Sequence, residues 1–259
     1  MRASYHTHTA RCNHARGSEE EYILKAIAEG VLTLGFSDHA PMPYKNGYIS
    51  NYKMLPEEIG EYFSKLLSLK EKYSDKIEIK IGFETEYYAD MWQDCLDFWR
   101  PYPIDYLILG QHFAPEESAR GGIYIGYPSP DEKRLKDYTD AVISGMNTGI
   151  ITYLAHPDLI NFTGEESVYL SEMERVIREA VRLDMPLEYN LLGMATGRNY
   201  PCDRFWCLAA DFPVRVILGC DSHDPERVAD REEIARAKKY LKGLGIEPLD
   251  KIELKKVLL

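Results

Sequence analysis

Long apolar runs are missing from the 259 residues. No stretch approaches the roughly 20 residues needed to span a bilayer, so no membrane helix is expected. Cysteine is sparse: Cys12, Cys95, Cys202, Cys207 and Cys220 are odd in number and lack a zinc-ribbon spacing. They read as reduced intracellular thiols. Positive charge is in deficit, with 31 Lys and Arg against 42 Asp and Glu and a net charge of -11 with His neutral. That argues against nonspecific binding to nucleic acid or to an anionic membrane. Linkers rich in Pro, Gly or Ser, internal repeats and low-complexity tracts are also lacking, so residues 1–259 read as a single domain. The first residues enter a strand with no apolar leader, and a cytoplasmic location without a signal peptide is expected. The remaining composition, 45% hydrophobic and 28% charged, is that of an ordinary globular chain.

Seven strand-like runs are expected near 3–8, 33–38, 77–84, 105–112, 150–156, 186–190 and 214–221. Several are apolar on both faces, as parallel strands under helices are. Helix starts are marked by capping boxes at Ser18–Glu21 and Ser171–Glu174, and by Ser129 followed by Pro130 as a first helical residue. Gly30 and Gly149 mark helix ends. A last helix is expected over 226–243, before a short Leu- and Lys-rich tail. Strict alternation of strand and helix implies a parallel α/β sheet, open or closed.

The seven histidines arbitrate between the two. Six of them, His6, His8, His39, His112, His156 and His223, end an apolar run or sit just beyond it, and His14 follows the first pair. A barrel brings all strand C-termini to one mouth, whereas an open sheet would spread them out. A seven-stranded (β/α)7 barrel is therefore expected, with residues 40–55 and 113–130 as candidate substrate loops. His6 and His8 share one side of a strand because side chains alternate with period two. Alone, such a pair is as often a pair of satisfied core histidines as a metal site. Asp38, Glu84 and Asp221 beside the other histidines at the same strand ends tip the balance toward imidazole-plus-carboxylate ligation of zinc, manganese or iron. Nine candidate ligands, the seven histidines with Glu84 and Asp221, exceed one ion's needs and suit two or three.

In order along the chain, His-x-His at 6–8, Asp-His at 38–39, Gly-x-Glu at 82–84 and Asp-x-His at 221–223 resemble the motifs of the polymerase-and-histidinol-phosphatase (PHP) superfamily of metal-dependent phosphoesterases. Residues 6–17, 35–41, 82–87, 156–159 and 187–190 are similar to its monofunctional histidinol-phosphatases. The resemblance implies a distorted TIM-like barrel of seven strands and a site of three divalent metal ions. One ion would take His6, His8, Glu84 and Asp221. A second would share Glu84 and add His112 and His156, and a third would take His14, His39 and His223. Ser4 stands where an Asp often opens the first motif, and His112 follows Gly110 with one residue fewer than is common.

Clustered cations would bind a phosphomonoester dianion and acidify water towards a pKa of ~7. Hydrolysis of L-histidinol phosphate, in histidine biosynthesis, is the activity the resemblance implies. Asp221, His223 or His39 would move the proton of the leaving oxygen. Arg198, and less directly Arg16 and Arg120, suit the phosphate. Asp158 suits His156 or a substrate ammonium, and Tyr44, Tyr88 or Tyr127 suit an imidazole ring. An arginine or tyrosine at such positions is about as often merely solvated or packed. Glu86 rivals Glu84 as the bridge but reads better as a supporting acid, and Cys220 reads as a strand filler. Another small phosphomonoester, such as a nucleotide or sugar phosphate, is the alternative substrate. An amidohydrolase would want a lysine at a strand end, which the chain lacks. A degenerate binding module would have lost ligands.

Overall fold

The computed structural model describes residues 1–119 and 122–257, so Arg120 lies outside the described residues. Seven strands form one sheet in sequence order: β1 (Ala3–Ser4), β2 (Thr33–His39), β3 (Glu78–Thr85), β4 (Tyr106–Leu109), β5 (Ile151–Leu154), β6 (Leu187–Asn190) and β7 (Val216–Gly219). Every adjacent pair is parallel. Among the described residues eight α-helices lie between and after them: α1 (Glu19–Ala28), α2 (Ile59–Lys72), α3 (Trp92–Trp99), α4 (Glu132–Met146), α5 (Glu166–Arg182), α6 (Leu191–Thr196), α7 (Asp203–Ala209) and α8 (Arg231–Gly243). Outward strand residues such as Phe36, Ile81, Phe83 and Leu218 join the helices in the main apolar core.

Closure of the barrel is incomplete, and it is made by two different devices. At the C-terminal end a single bridge joins Thr7 to Ser222, with the His8 amide donating to Ser222 O at 2.9 Å and the Ser222 amide to His6 O at 3.1 Å. At the other end the chain's own tail fills the seam. The Leu249 amide donates to Val216 O (2.8 Å), and the Ala3 amide to Asp250 O (3.2 Å). Inside, Tyr5, Tyr106, Ile108, Tyr153, Ile217 and Ile252 form a second buried cluster. The Tyr106 hydroxyl donates to Tyr5 O (2.6 Å) and the Tyr5 hydroxyl to Ile252 O (3.3 Å). This plug gives the site above it a buried floor.

The local signals held unevenly. Ser18 caps α1 in a complete capping box, and Gly30 and Gly149 adopt φ of +78° and +83° as helix ends require. Ser171 caps nothing, because α5 begins five residues earlier behind Glu165. Its apolar face, carrying Tyr169 and Met173, extends across that position, so burial overrides the local signal. Asp131 rather than Ser129 caps α4, and Pro130 lies before the cap. The last helix starts at Arg231, with Asp230 accepting from the amides of Glu232 and Glu233. Residues 225–227 form only a 3-10 turn. No helix among the described residues is long and apolar enough to cross a membrane.

Candidate metal centre

All nine residues expected as ligands converge on the barrel's C-terminal mouth. His6 and His8 follow β1, His39 ends β2 and Glu84 lies in β3. The other five follow: His112 after β4, His156 after β5, Asp221 and His223 after β7, and His14 on an exposed lip. His156 and Asp221 sit at φ of +28° and +48°, a region non-glycine residues rarely occupy. Such strain persists where the surroundings hold a side chain to a task.

Four buried ligand atoms form one compact group at the centre. His6 Nε2 lies 3.5 Å from both Glu84 Oε2 and Asp221 Oδ1, and His8 Nε2 lies 3.6 and 3.1 Å from the same two oxygens. A tetrahedral ion with bonds of about 2.0–2.1 Å has ligand–ligand edges of about 3.3–3.4 Å. The four observed spacings, 3.1 to 3.6 Å, bracket that figure. His6 Nε2, His8 Nε2 and Glu84 Oε2 have no hydrogen-bond partner although buried, a costly state that a cation relieves.

The opposite ring nitrogens explain which atoms face inward. His6 Nδ1 meets Glu188 Oε2 at 2.7 Å, and His8 Nδ1 meets Asp38 Oδ1 at 3.3 Å. A carboxylate on Nδ1 fixes the tautomer and leaves the Nε2 lone pair for a metal. Asn190 Nδ2 donates to Glu188 Oε1 (2.7 Å) and to Asp221 Oδ2 (3.1 Å), locking the two acids together. Space is also provided: a Cβ at Gly110 would overlap the Glu84 carboxylate, and one at Gly219 would overlap that of Glu188.

The outer histidines make the same case differently. His14 Nδ1 donates to Cys12 O at 2.6 Å and His223 Nδ1 to Asp221 O at 3.0 Å. Both Nε2 atoms then present lone pairs, yet they lie 2.9 Å apart. Only a shared cation or proton makes that approach favourable. His156 Nε2 and His112 Nε2 reach Glu84 Oε1 at 2.7 and 3.5 Å, while His39 Nδ1 reaches Glu84 Oε2 at 2.9 Å. The three expected ligand sets are not separable by distance, since His8 also groups with His39 and His223, and His6 with Glu84 and His156.

Charge follows geometry. Burial opposes charge on Glu84, but His112, His6 and His39 hold its carboxyl well below the usual range. Asp221 behaves likewise beside His6 and His8. Burial, reinforced by His8, keeps His39 and His223 well below an ordinary histidine. Burial also lowers His14, with His8 adding to it, and outweighs Glu84 to lower His112. His6 and His156 are raised against burial by the surrounding carboxylates, and His8 is raised to about 9 by Asp221 and Asp38. The centre thus pairs anionic oxygens with donors that are neutral or that a cation can strip of a proton. The residues fit divalent metal ions.

Above the cluster opens a cavity of about 790 Å³, with His14, His39, His112, Asp221 and His223 on its floor. Arg198, Tyr52, Phe113, Tyr124 and Tyr200 form the walls, and Ile123 and Tyr127 the exposed rim. Arg198 Nη1 donates to the Tyr200 hydroxyl at 2.8 Å. Of the other expected contacts, Tyr127 lines the cavity, whereas Tyr44 bonds Glu117 and Tyr88 bonds Phe113 O. Arg16 is not brought to the site: its 77%-exposed side chain pairs with Asp224 over a separate surface groove. Asp158 is buried behind the site, where Oδ2 accepts from the Cys202 amide (2.5 Å) and from Trp206 Nε1 (3.0 Å). Burial pushes its carboxyl up to about 6. Glu86 pairs with the buried Lys53 and accepts from the His112 amide, in keeping with a supporting role. Cys220 is buried beside Asp221, with its thiol pushed up to about 12 by burial.

Sequence reading missed Glu188, Tyr52, Tyr124, Tyr200 and Lys53. Glu188 had a local signal, as an acid at a strand end beside Asn190, and Tyr52, Lys53 and Tyr124 lie in the loops 40–55 and 113–130 expected at the substrate. The tyrosines come from loops whose paths no periodicity encodes.

Comparisons agree with this geometry. The PHP domain model matches residues 4–190, which leaves Asp221 and His223 to be identified by position alone. A protein of Deinococcus radiodurans named probable histidinol-phosphatase is 25% identical, covering 93% of this chain and 92% of its own length. One of Schizosaccharomyces pombe with the same name is 28% identical, covering 98% and 90%. The histidinol phosphate phosphatase of Lactococcus lactis, solved with zinc, L-histidinol and phosphate, superposes with a TM-score of 0.72 at 19% identity over 96% and 95% of the two chains. That likeness establishes the barrel. The matched motifs and the donor cluster lead to one conclusion: this chain belongs to the PHP domain family.

Proposed function

We propose that the protein is a metal-dependent phosphomonoesterase that hydrolyses L-histidinol phosphate to L-histidinol and phosphate, with residues 1–259 acting as one domain. The observation that carries the chemistry is the buried quartet of His6 Nε2, His8 Nε2, Glu84 Oε2 and Asp221 Oδ1, spaced for one cation. The names of the relatives carry the substrate. Three divalent ions of zinc, manganese or iron are proposed. One would be held by that quartet, one by Glu84 with His112 and His156, and one by His14, His39 and His223.

Bound there, divalent cations offset the charge of a phosphate dianion and acidify water towards a pKa of ~7. The chain supplies the rest. Arg198, on the cavity wall, donates to phosphate oxygens opposite the cluster. His39, His223 and Asp221 line the cavity and are proposed to move the leaving oxygen's proton. Tyr52, Phe113, Tyr124 and Tyr127 line the cavity as aromatic partners for an imidazole. Asp38 and Glu188 hold His8 and His6 in register, and the tyrosine plug keeps water from beneath.

A second reading, another small phosphomonoester such as a nucleotide or sugar phosphate, draws on the cavity's size. At about 790 Å³ it lies in the upper part of the ~300–1,000 Å³ spanned by ligand sites. A C–N hydrolase is disfavoured because Lys53, the one described lysine beside the site, is held charged between two carboxylates and is unsuited to carbamylation. Phosphate release by metal-loaded protein across a phosphomonoester panel tests both readings. The highest kcat/KM is expected on histidinol phosphate, with activity lost on chelation and in His8→Ala and Asp221→Ala. Clear preference for a nucleotide overturns the substrate, and turnover by rigorously metal-free protein overturns the chemistry.

A further inference from the structure

We propose that Lys53 is a positioning residue that couples the substrate wall to the metal centre, holding Glu86 against His112 with one face of its ammonium and Glu117 against the rim loop with another. Lys53 is 3% exposed and does not line the main cavity. Its Nζ lies 2.7 Å from Glu86 Oε2, an ion pair without hydrogen-bond angles, and donates to Glu117 Oε2 at 2.8 Å.

Each carboxylate leads to a different part of the site. Glu86 Oε1 accepts from the His112 amide at 3.0 Å and stands 3.6 Å from His112 Nδ1. It therefore fixes the backbone from which that imidazole reaches Glu84. Glu117 accepts from the hydroxyls of Tyr44 (3.3 Å), Tyr48 (3.0 Å) and Ser50 (2.9 Å), gathering the segment before Tyr52 onto the loop that follows Phe113. The same ammonium sits 5.2 Å from the ring centres of Tyr52 and Phe113, which do line the cavity. One buried cation thus sets the distance between an aromatic wall and a candidate ligand. Burying an ammonium between two carboxylates contributes little net stability, so a well-defined geometry is the stronger reason to keep it.

The metal arm rests on the reading under Proposed function, and the backbone arm does not. The test is amide exchange on the purified protein, alongside zinc affinity by chelator competition and KM for histidinol phosphate. In Lys53→Met, exchange at the His112 amide and over 113–119 should rise about tenfold relative to β5 and β6, as loss of one charged contact predicts. Zinc affinity should fall by about 10–100-fold, and KM should rise. Glu117→Gln should move the rim exchange and KM but leave zinc affinity unchanged. Glu86→Gln should move His112 exchange and zinc affinity but leave the rim unchanged. Wild-type values of all three readouts in Lys53→Met overturn the proposal. So does an identical pattern in the two glutamine variants, which decide the matter alone if Lys53→Met does not fold. A wild-type chain that binds no zinc removes the proposed function, while the exchange pattern still judges Lys53.

Discussion

Replacing Glu188 by Gln removes one charge from the molecule's interior and almost no volume. Glu188 is fully buried, and its Oε2 lies 2.7 Å from His6 Nδ1 while its Oε1 accepts from Asn190. A glutamine oxygen can still accept from His6, so that hydrogen bond changes from charged to neutral, while the new amide nitrogen takes the place of the oxygen that accepted from Asn190 Nδ2. That difference is about 1–1.5 kcal/mol, from roughly 1.5–3 for charged partners to 0.5–1.5 for neutral ones. At 1.4 kcal/mol per tenfold it weakens the cation held by His6 about 5–12-fold, the low end of the 10–100-fold range for such supporting groups. A second effect has the opposite sign. Glu188 also helps hold a proton on His6 in the metal-free protein, so its loss eases the proton's competition with the metal. The two separate with pH, since proton competition vanishes under alkaline conditions and the loss of ligand basicity does not. Zinc affinity by chelator competition should therefore show a deficit of about tenfold on the alkaline plateau and a smaller one near neutrality. Equal affinities on the plateau, in a variant that melts like the parent, would refute the idea that Glu188 tunes His6.

Arg198→Met should lower kcat/KM about tenfold, the modest end for a charge-assisted contact because the side chain is partly solvated, with cation content by elemental analysis unchanged. Lost cations in that variant would place Arg198 in the metal site instead. In metal-free protein His8 has its pKa raised from 6.5 to about 9, with His6 and His156 also raised. The stabilising charge of His8 is complete below the unfolded value of about 6.5 and is lost as pH rises through about 9, and His6 and His156 add to it with the same sign. Melting of chelated protein should thus fall across that window while zinc affinity rises, and a flat affinity would contradict the assignment. Asp158→Ala strands two buried donors, the Cys202 amide and Trp206 Nε1, and should destabilise by roughly 2–5 kcal/mol in denaturant titrations. A loss under about 1 kcal/mol would mean that the loop is held otherwise.

The seven strands, their order and their parallel pairing were legible because βα alternation and doubly buried apolar runs are local patterns. The convergence of the nine ligands followed, since a residue at a strand's C-terminal end has one place to be in a barrel. Helix starts were less secure. Ser18 behaved as a cap, but Ser171 lies within α5, where a long apolar stripe outweighs any cap.

By itself, then, the sequence determined the barrel, the family and the inventory of imidazoles and carboxylates at the mouth. These depend on period, order and residue type. Tertiary structure alone decided that Glu188 and Asp38 stand behind His6 and His8, that Asp158 turns to Trp206, and that Arg16 turns to Asp224 at the surface. It also decided that Lys53 sits between Glu86 and Glu117, and that residues 249–252 plug the seam which β1 and β7 leave open. Each of these joins residues far apart in the chain. Their partners are chosen by which buried charge or backbone group needs one, and no pattern read along the chain encodes that.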